Sequence, residues 1–348
     1  MSTRINQLNI HDCFLGLAFT RNTKTSLERR NKALGLCLLL VTFPLLSFAE
    51  STSFPLAFIT NQGEDTVDIV DLESEQTQYK LTVGKDPAGV AIGFDQSEVY
   101  ITNPSAQSIS VIDVAKKSVS RTIPVQGSPL GIVASPVDAE IYVADWDNER
   151  VFVIDTRSTK VSATLTTGRT PAGLDISSDG QLLFVANRDD NSVSVFSLAD
   201  RRLVATVPVG KAPFGVTVSR DNKHVFTANV QSSDISIINA LDFELVANVT
   251  VGEFPYAIAH DASSDNLFVT NQQASTVSVV HIPSRKVIKT IVVGDYPEGI
   301  AIVEKSFRVY VANWFSNTLS VIDTRSLQEI STIDVGEGAR AFGKFILN

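Results

Sequence analysis

The sequence predicts an all-β fold: a seven-bladed β-propeller of four-stranded antiparallel blades. Two observations carry this. Phe58-Ile59-Thr60-Asn61 returns as Tyr100–Asn103, Tyr142–Asp145, Phe184–Asn187, Phe226–Asn229, Phe268–Asn271 and Tyr310–Asn313, always 42 residues on. A proline column (Pro87, Pro129, Pro171, Pro213, Pro255, Pro297) keeps the same step. A strict period of this length, built from strand-like segments, indicates a closed radial array of small sheets.

Residues 171–210 show one blade most clearly. Pro171–Ile176 is a short apolar strand, turned by Ser178-Asp179-Gly180. Leu182–Asn187 is the second strand, and Arg188–Asn191 turns the chain. Ser192–Phe196 alternates with period two, and Leu203–Val209 follows a polar turn. The first two strands are nearly continuous apolar runs, as expected where both sheet faces pack on neighbouring blades. The fourth mixes Thr, Lys, Arg and proline (Pro124, Pro208) with Val, which suits an outer edge.

Closure is also legible. The first repeat lacks its Pro-x-Gly strand and starts near Phe54, whereas Arg340–Ile346 supplies such a strand at the other end. The last blade is therefore expected to combine the C-terminal strand with three N-terminal ones.

Residues 1–49 stand outside the repeat. Arg29, Arg30 and Lys32 precede an apolar run from Ala33 to Phe48, and Ser47-Phe48-Ala49 offers small residues for a signal peptidase. The run contains Pro44 and is shorter than the ~20 residues of a spanning helix. The expected organisation is a signal peptide with a polar extension over 1–49, cleaved after Ala49, and a propeller over 50–348. The product would be periplasmic or secreted, monomeric and free of membrane. Cys13 and Cys37 fall in the first segment, which leaves no thiol for a disulfide or a metal site. Six of the 29 basic and two of the 38 acidic residues also fall there, so the remainder carries a net charge of −13. That balance disfavours nucleic acid and anionic membrane as partners.

Three strands or links carry a resemblance. They are the Tyr/Phe-Val-Thr/Ala-Asn strand, the Ser-Val-x-Val-Ile-Asp strand (Ser108–Asp113, Thr318–Asp323) and the Val-Gly-x-x-Pro-x-Gly link (Val83–Gly89, Val209–Gly215, Val293–Gly299). They resemble the YVTN β-propeller repeat over residues 54–348, in its exported YncE-like branch. Related propellers include surface proteins, lactonases and streptogramin lyases. The resemblance implies the fold strongly and function weakly, with single-stranded DNA as one family-suggested ligand.

Function is expected where repeats differ. The inter-blade links and the turns between second and third strands emerge on one face, termed here the link face. Trp146 and Trp314 share one repeat position there. Phe214, Phe254, Tyr256 and Tyr296 add aromatic surface, and Arg169, Arg188, Lys211 and Arg340 add positive charge. This set suits stacking on a base, a sugar or a peptide, and equally suits packing between blades. The Asn column (Asn61 to Asn313) is expected to shape the turn that ends the second strand. The Asp71, Asp113, Asp155 and Asp323 column should shape the turn after the third. Mid-strand serines (Ser110, Ser194, Ser236, Ser278, Ser320) are expected to let neighbouring sheets approach.

His224, His260 and His281 occupy unrelated repeat positions, so no metal set and no cofactor is expected. Asp175 and His260 break the apolar rule of the innermost strand and are weak candidates for an acid–base couple. The reading favours a non-enzymatic binding module for a protein, peptide or small-molecule ligand. Its alternatives are a lactonase-like hydrolase or lyase at the channel mouth, and a single-stranded-DNA-binding protein.

Overall fold

The computed structural model describes residues 55–347. The expected signal segment lies outside the described residues, and no described helix is long and apolar enough to cross a membrane. Seven sheets follow one another; five consist of four strands in consecutive order, and the other two each take in a short strand from the C-terminal end of the chain. Blade 4 is representative: Pro171–Ile176, Leu182–Asn187, Ser192–Ser197 and Arg202–Pro208. Every residue of its innermost strand is buried, whereas most of its fourth strand is exposed. The apolar gradient along each repeat therefore sets the radial order of its strands.

The ring closes as expected, by pairing Ile346–Leu347 with Leu56–Asn61. The detail differs from an ordinary inner strand. Ala339 bridges Asn61 and Ile346 pairs Ala57, so the C-terminal strand carries more residues than its partner across the same span. The surplus bulges toward the axis, and Phe342–Gly343 pairs in parallel with Gly89 and Val90 of the next blade. Gly343 sits at φ +111, and a Cβ there would come 2.5 Å from Val90 O, so this crossing needs glycine.

Two polar columns hold the blades. Each Asn is fully buried, and in five blades its Nδ2 donates across to the third-strand serine, as from Asn103 to Ser110 at 3.0 Å, Asn187 to Ser194 at 2.8 Å and Asn313 to Ser320 at 2.8 Å, whereas Asn61, with Asp68 at the serine position, donates to Thr66 Oγ1 at 3.1 Å. The serines accordingly do more than let sheets approach, and the asparagines brace the third strand instead of only shaping the turn. Asp145 stands in this column where Phe152 replaces the serine. Its carboxylate pairs Arg150 Nε at 2.8 Å and accepts from Ser128 N at 2.9 Å. The Asp column behaves as expected. Asp71 Oδ1 accepts from Glu73 N and Ser74 N, Asp155 from Ser158 N, and Asp323 from Ser326 N.

These turn bonds give an acid response. The N–H of Ser74, of Ser158 and of Ser326 is the largest influence holding Asp71, Asp155 and Asp323, respectively, below the usual carboxylate range. A carboxyl depressed in the folded state contributes stability above its unfolded value of about 3.9 and loses it as pH falls through the folded value. Stability should therefore drop as pH falls below about 4. Asn239 makes the same turn with Leu241 N at 2.9 Å, so an amide fits the geometry. A variant with Asn at positions 71, 155 and 323 should fold, and its urea midpoint should change less between pH 4 and pH 2 than the wild type's. Equal slopes would locate the acid sensitivity elsewhere.

Candidate functional site

At the link-face end of the channel the aromatic residues form a layer across the axis. Phe214 and Tyr256 are buried and stack at 4.2 Å, and Phe342 packs on both, at 5.1 and 5.5 Å. Trp146 covers Phe214 at 5.8 Å, and Arg188 lies over the Trp146 ring. Beneath this layer, Arg340 Nη2 donates to Tyr256 Oη at 2.6 Å. Arg340 Nε stands 2.9 Å from Glu298 Oε2, close enough for an ion pair but off hydrogen-bond alignment. Gln272 Nε2 donates to Glu298 Oε1 at 2.8 Å. Burial raises the Glu298 carboxyl above its usual range, against the pull of Arg340. Of the residues singled out from the sequence, Phe214, Tyr256 and Arg340 thus belong to a buried plug held by stacking and an internal ion pair.

The others remain nearer the surface. Tyr296, Trp314 and Phe315 form one cluster, with centroids 4.8 to 5.6 Å apart, and Phe315 is 64% exposed. Phe254 is half-buried. Phe254 and Tyr296 have φ of 55 and 58, but Asp86, Thr170 and Ala212 share this left-handed conformation at the same link position. It is a property of the link, not a strain peculiar to a site. The basic residues are largely committed. Arg169 Nε pairs Asp190 at 2.6 Å and Arg188 pairs Asp189 at 2.9 Å, while Lys211 is exposed. Asp147, Glu149, Glu253, Asp295 and Glu337 are exposed on the same face.

The opposite end of the channel is open. A cavity of about 450 Å³ is floored by Phe342 and walled by the innermost strands of blades 3 to 7. Asp175 and His260 both line it but are not hydrogen-bonded to each other. Asp175 Oδ1 accepts from Ile176 N at 2.9 Å and pairs Lys344 Nζ at 2.8 Å, and Oδ2 accepts from Val218 N at 2.9 Å. His260 Nε2 is buried without a partner, and burial lowers the ring's pKa, so it is neutral near pH 7. At the rim Arg220 pairs Glu304 across the span of blade 6. Sequence reasoning missed Lys344, Arg220 and Glu304. The inner-strand exceptions Asp175 and His260 were the only signal pointing to this end. Among the described residues no three His, Cys, Asp or Glu side chains gather as a metal site.

The family model of lactonases with a seven-bladed β-propeller matches residues 133–242. The chain is a seven-bladed β-propeller. Hydrazine synthase of Kuenenia stuttgartiensis superposes with TM-score 0.69 at 21% identity, over 77% of this chain and 92% of that one. A functionally unknown protein from Desulfotomaculum acetoxidans superposes with TM-score 0.71 at 18% identity, over 83% and 99%. At such identities these likenesses establish the propeller architecture alone. No curated protein matches the sequence significantly.

Proposed function

We propose that the protein is an exported, non-enzymatic propeller of the YVTN type, whose link face docks a cationic segment of a partner protein. The Tyr296–Trp314–Phe315 cluster carries this reading, half-buried except for the exposed Phe315, with the Asp295 carboxylate beside it in sequence and on the same face. Aromatic faces and carboxylates together attract Lys and Arg side chains. The surplus of exposed acids over free cations, and the net −13 beyond residue 49, favour a basic partner at a distance. Single-stranded DNA fits less well, because Arg169 and Arg188 are already occupied by Asp190 and Asp189.

A lysine- and glycine-containing peptide, its glutamate counterpart and an oligothymidylate serve as probes, titrated against tryptophan fluorescence. Protein from a periplasmic extract is used, with an intact mass expected to begin at Glu50. The cationic peptide should bind, and more weakly in high salt. Trp314→Gln should cost within ~1 kcal/mol of stability, since Gln62 and Gln272 occupy this turn position elsewhere. It should weaken the peptide severalfold. Tighter binding of the oligothymidylate, or no response to either ligand, would overturn this reading.

A second reading rests on the lactonase match, which spans the strands that bring Asp175 and Thr217 to the open cavity. In it Asp175 would act as a base in lactone hydrolysis. Both of its oxygens are engaged by Lys344 and backbone N–H groups, which argues against that role. Lactone turnover abolished by Asp175→Asn would restore it.

A further inference from the structure

We propose that the open end of the channel is a small-molecule site for an uncharged, mostly apolar compound that offers one acceptor oxygen, such as a ketone, ester or amide carbonyl, to Lys344. The cavity's volume, about 450 Å³, lies within the range of pockets that hold small ligands. Its walls are largely aliphatic, with Ile132, Leu174, Ile258 and Ala301 among them.

The charges that line it are already paired. Asp175 is matched by Lys344 and Glu304 by Arg220, while His260 is neutral. A carboxylate or an ammonium entering this space would add a charge with no counter-ion inside a partly dehydrated pocket, which is unfavourable. A neutral ligand carries no such penalty. Lys344 spends one N–H on Asp175, and its side chain is 65% exposed, so it keeps donors for a ligand oxygen.

The site is made by the surplus of the C-terminal strand. The bulge that crosses the axis brings Phe342 as floor and Lys344 as donor, features that no internal blade repeats. It lies at the end of the channel away from the link face, so it is independent of partner docking there.

The test compares three compounds with one ring: cyclohexanone, cyclohexanecarboxylate and cyclohexylammonium, by ligand-observed NMR on the full propeller. Cyclohexanone should bind saturably and at least tenfold more tightly than either ion. Ala301→Phe fills the cavity from an inner strand and should abolish binding. The double variant Asp175→Asn with Lys344→Met removes both charges without stranding one, and should weaken cyclohexanone about tenfold. Unchanged thermal unfolding checks that both variants fold. An ion that binds as tightly as the ketone, or retention of binding in Ala301→Phe, would overturn the proposal. Cyclohexanone has no bond to hydrolyse, so the result is separate from any lactone turnover.

Discussion

Deleting Ala339–Asn348 should leave a protein that is largely aggregated, or that unfolds well over ten degrees below the full chain. The segment closes the ring against Leu56–Asn61, and its loss exposes that strand's edge to other chains. It also removes the Phe342 ring that packs on both Phe214 and Tyr256, a loss on the scale of roughly 3–5 kcal/mol for a buried aromatic. Arg340 goes with it, leaving Glu298 buried with only Gln272 as partner. Removing a whole outer strand, such as Lys286–Val292, takes away mostly exposed side chains and should be milder. Size-exclusion chromatography and thermal unfolding decide the matter. A monomeric truncation with an unchanged melting temperature would show that closure does not depend on this strand.

The architecture was readable because each physical requirement recurs five to seven times. A single blade would give only a short apolar run, but seven in register reveal the step, the radial order and the closing strand. The turn-forming Asp column was equally plain, since a carboxylate at the end of a strand has local N–H partners within three residues. The asparagine–serine brace was harder to see. Asn187 and Ser194 are seven residues apart, and only the antiparallel register makes them neighbours.

The site was less legible, for a related reason. What distinguishes the open cavity is what departs from the repeat: the extra residues near Phe342, the lone Asp175, and Arg220 reaching Glu304 across a blade. None of these has a periodic signal. On the link face the sequence grouped ten residues as one mouth. The structure divides them, since position along the inner strand buries Phe214 and Tyr256 whereas the turn position leaves Trp146 and Trp314 half-buried. Residue type alone does not separate the two.

The buried pair of Arg340 and Glu298 gives the second large effect. Arg340→Met should destabilise the protein by roughly 3–5 kcal/mol, because a carboxylate is then left in a site with too little compensation. Glu298 need not remain charged, however. Burial already raises its pKa, so in the Met variant it should take up a proton on folding. The sign follows: an acid whose folded pKa lies above its unfolded value disfavours folding as pH rises through the unfolded value. The loss in Arg340→Met should therefore be smaller at pH 5 than at pH 8. Adding Glu298→Gln removes the stranded charge and keeps a partner for Gln272, so the double variant should recover most of the loss and its pH dependence. Replacing an intact buried pair by neutral groups is often nearly neutral, whereas breaking one side is not. Urea denaturation of wild type, both single variants and the double at the two pH values completes the cycle. If Arg340→Met loses no more stability than the double variant at pH 8, the pair is not what holds the plug together, and the Phe214–Tyr256–Phe342 stack must carry it alone.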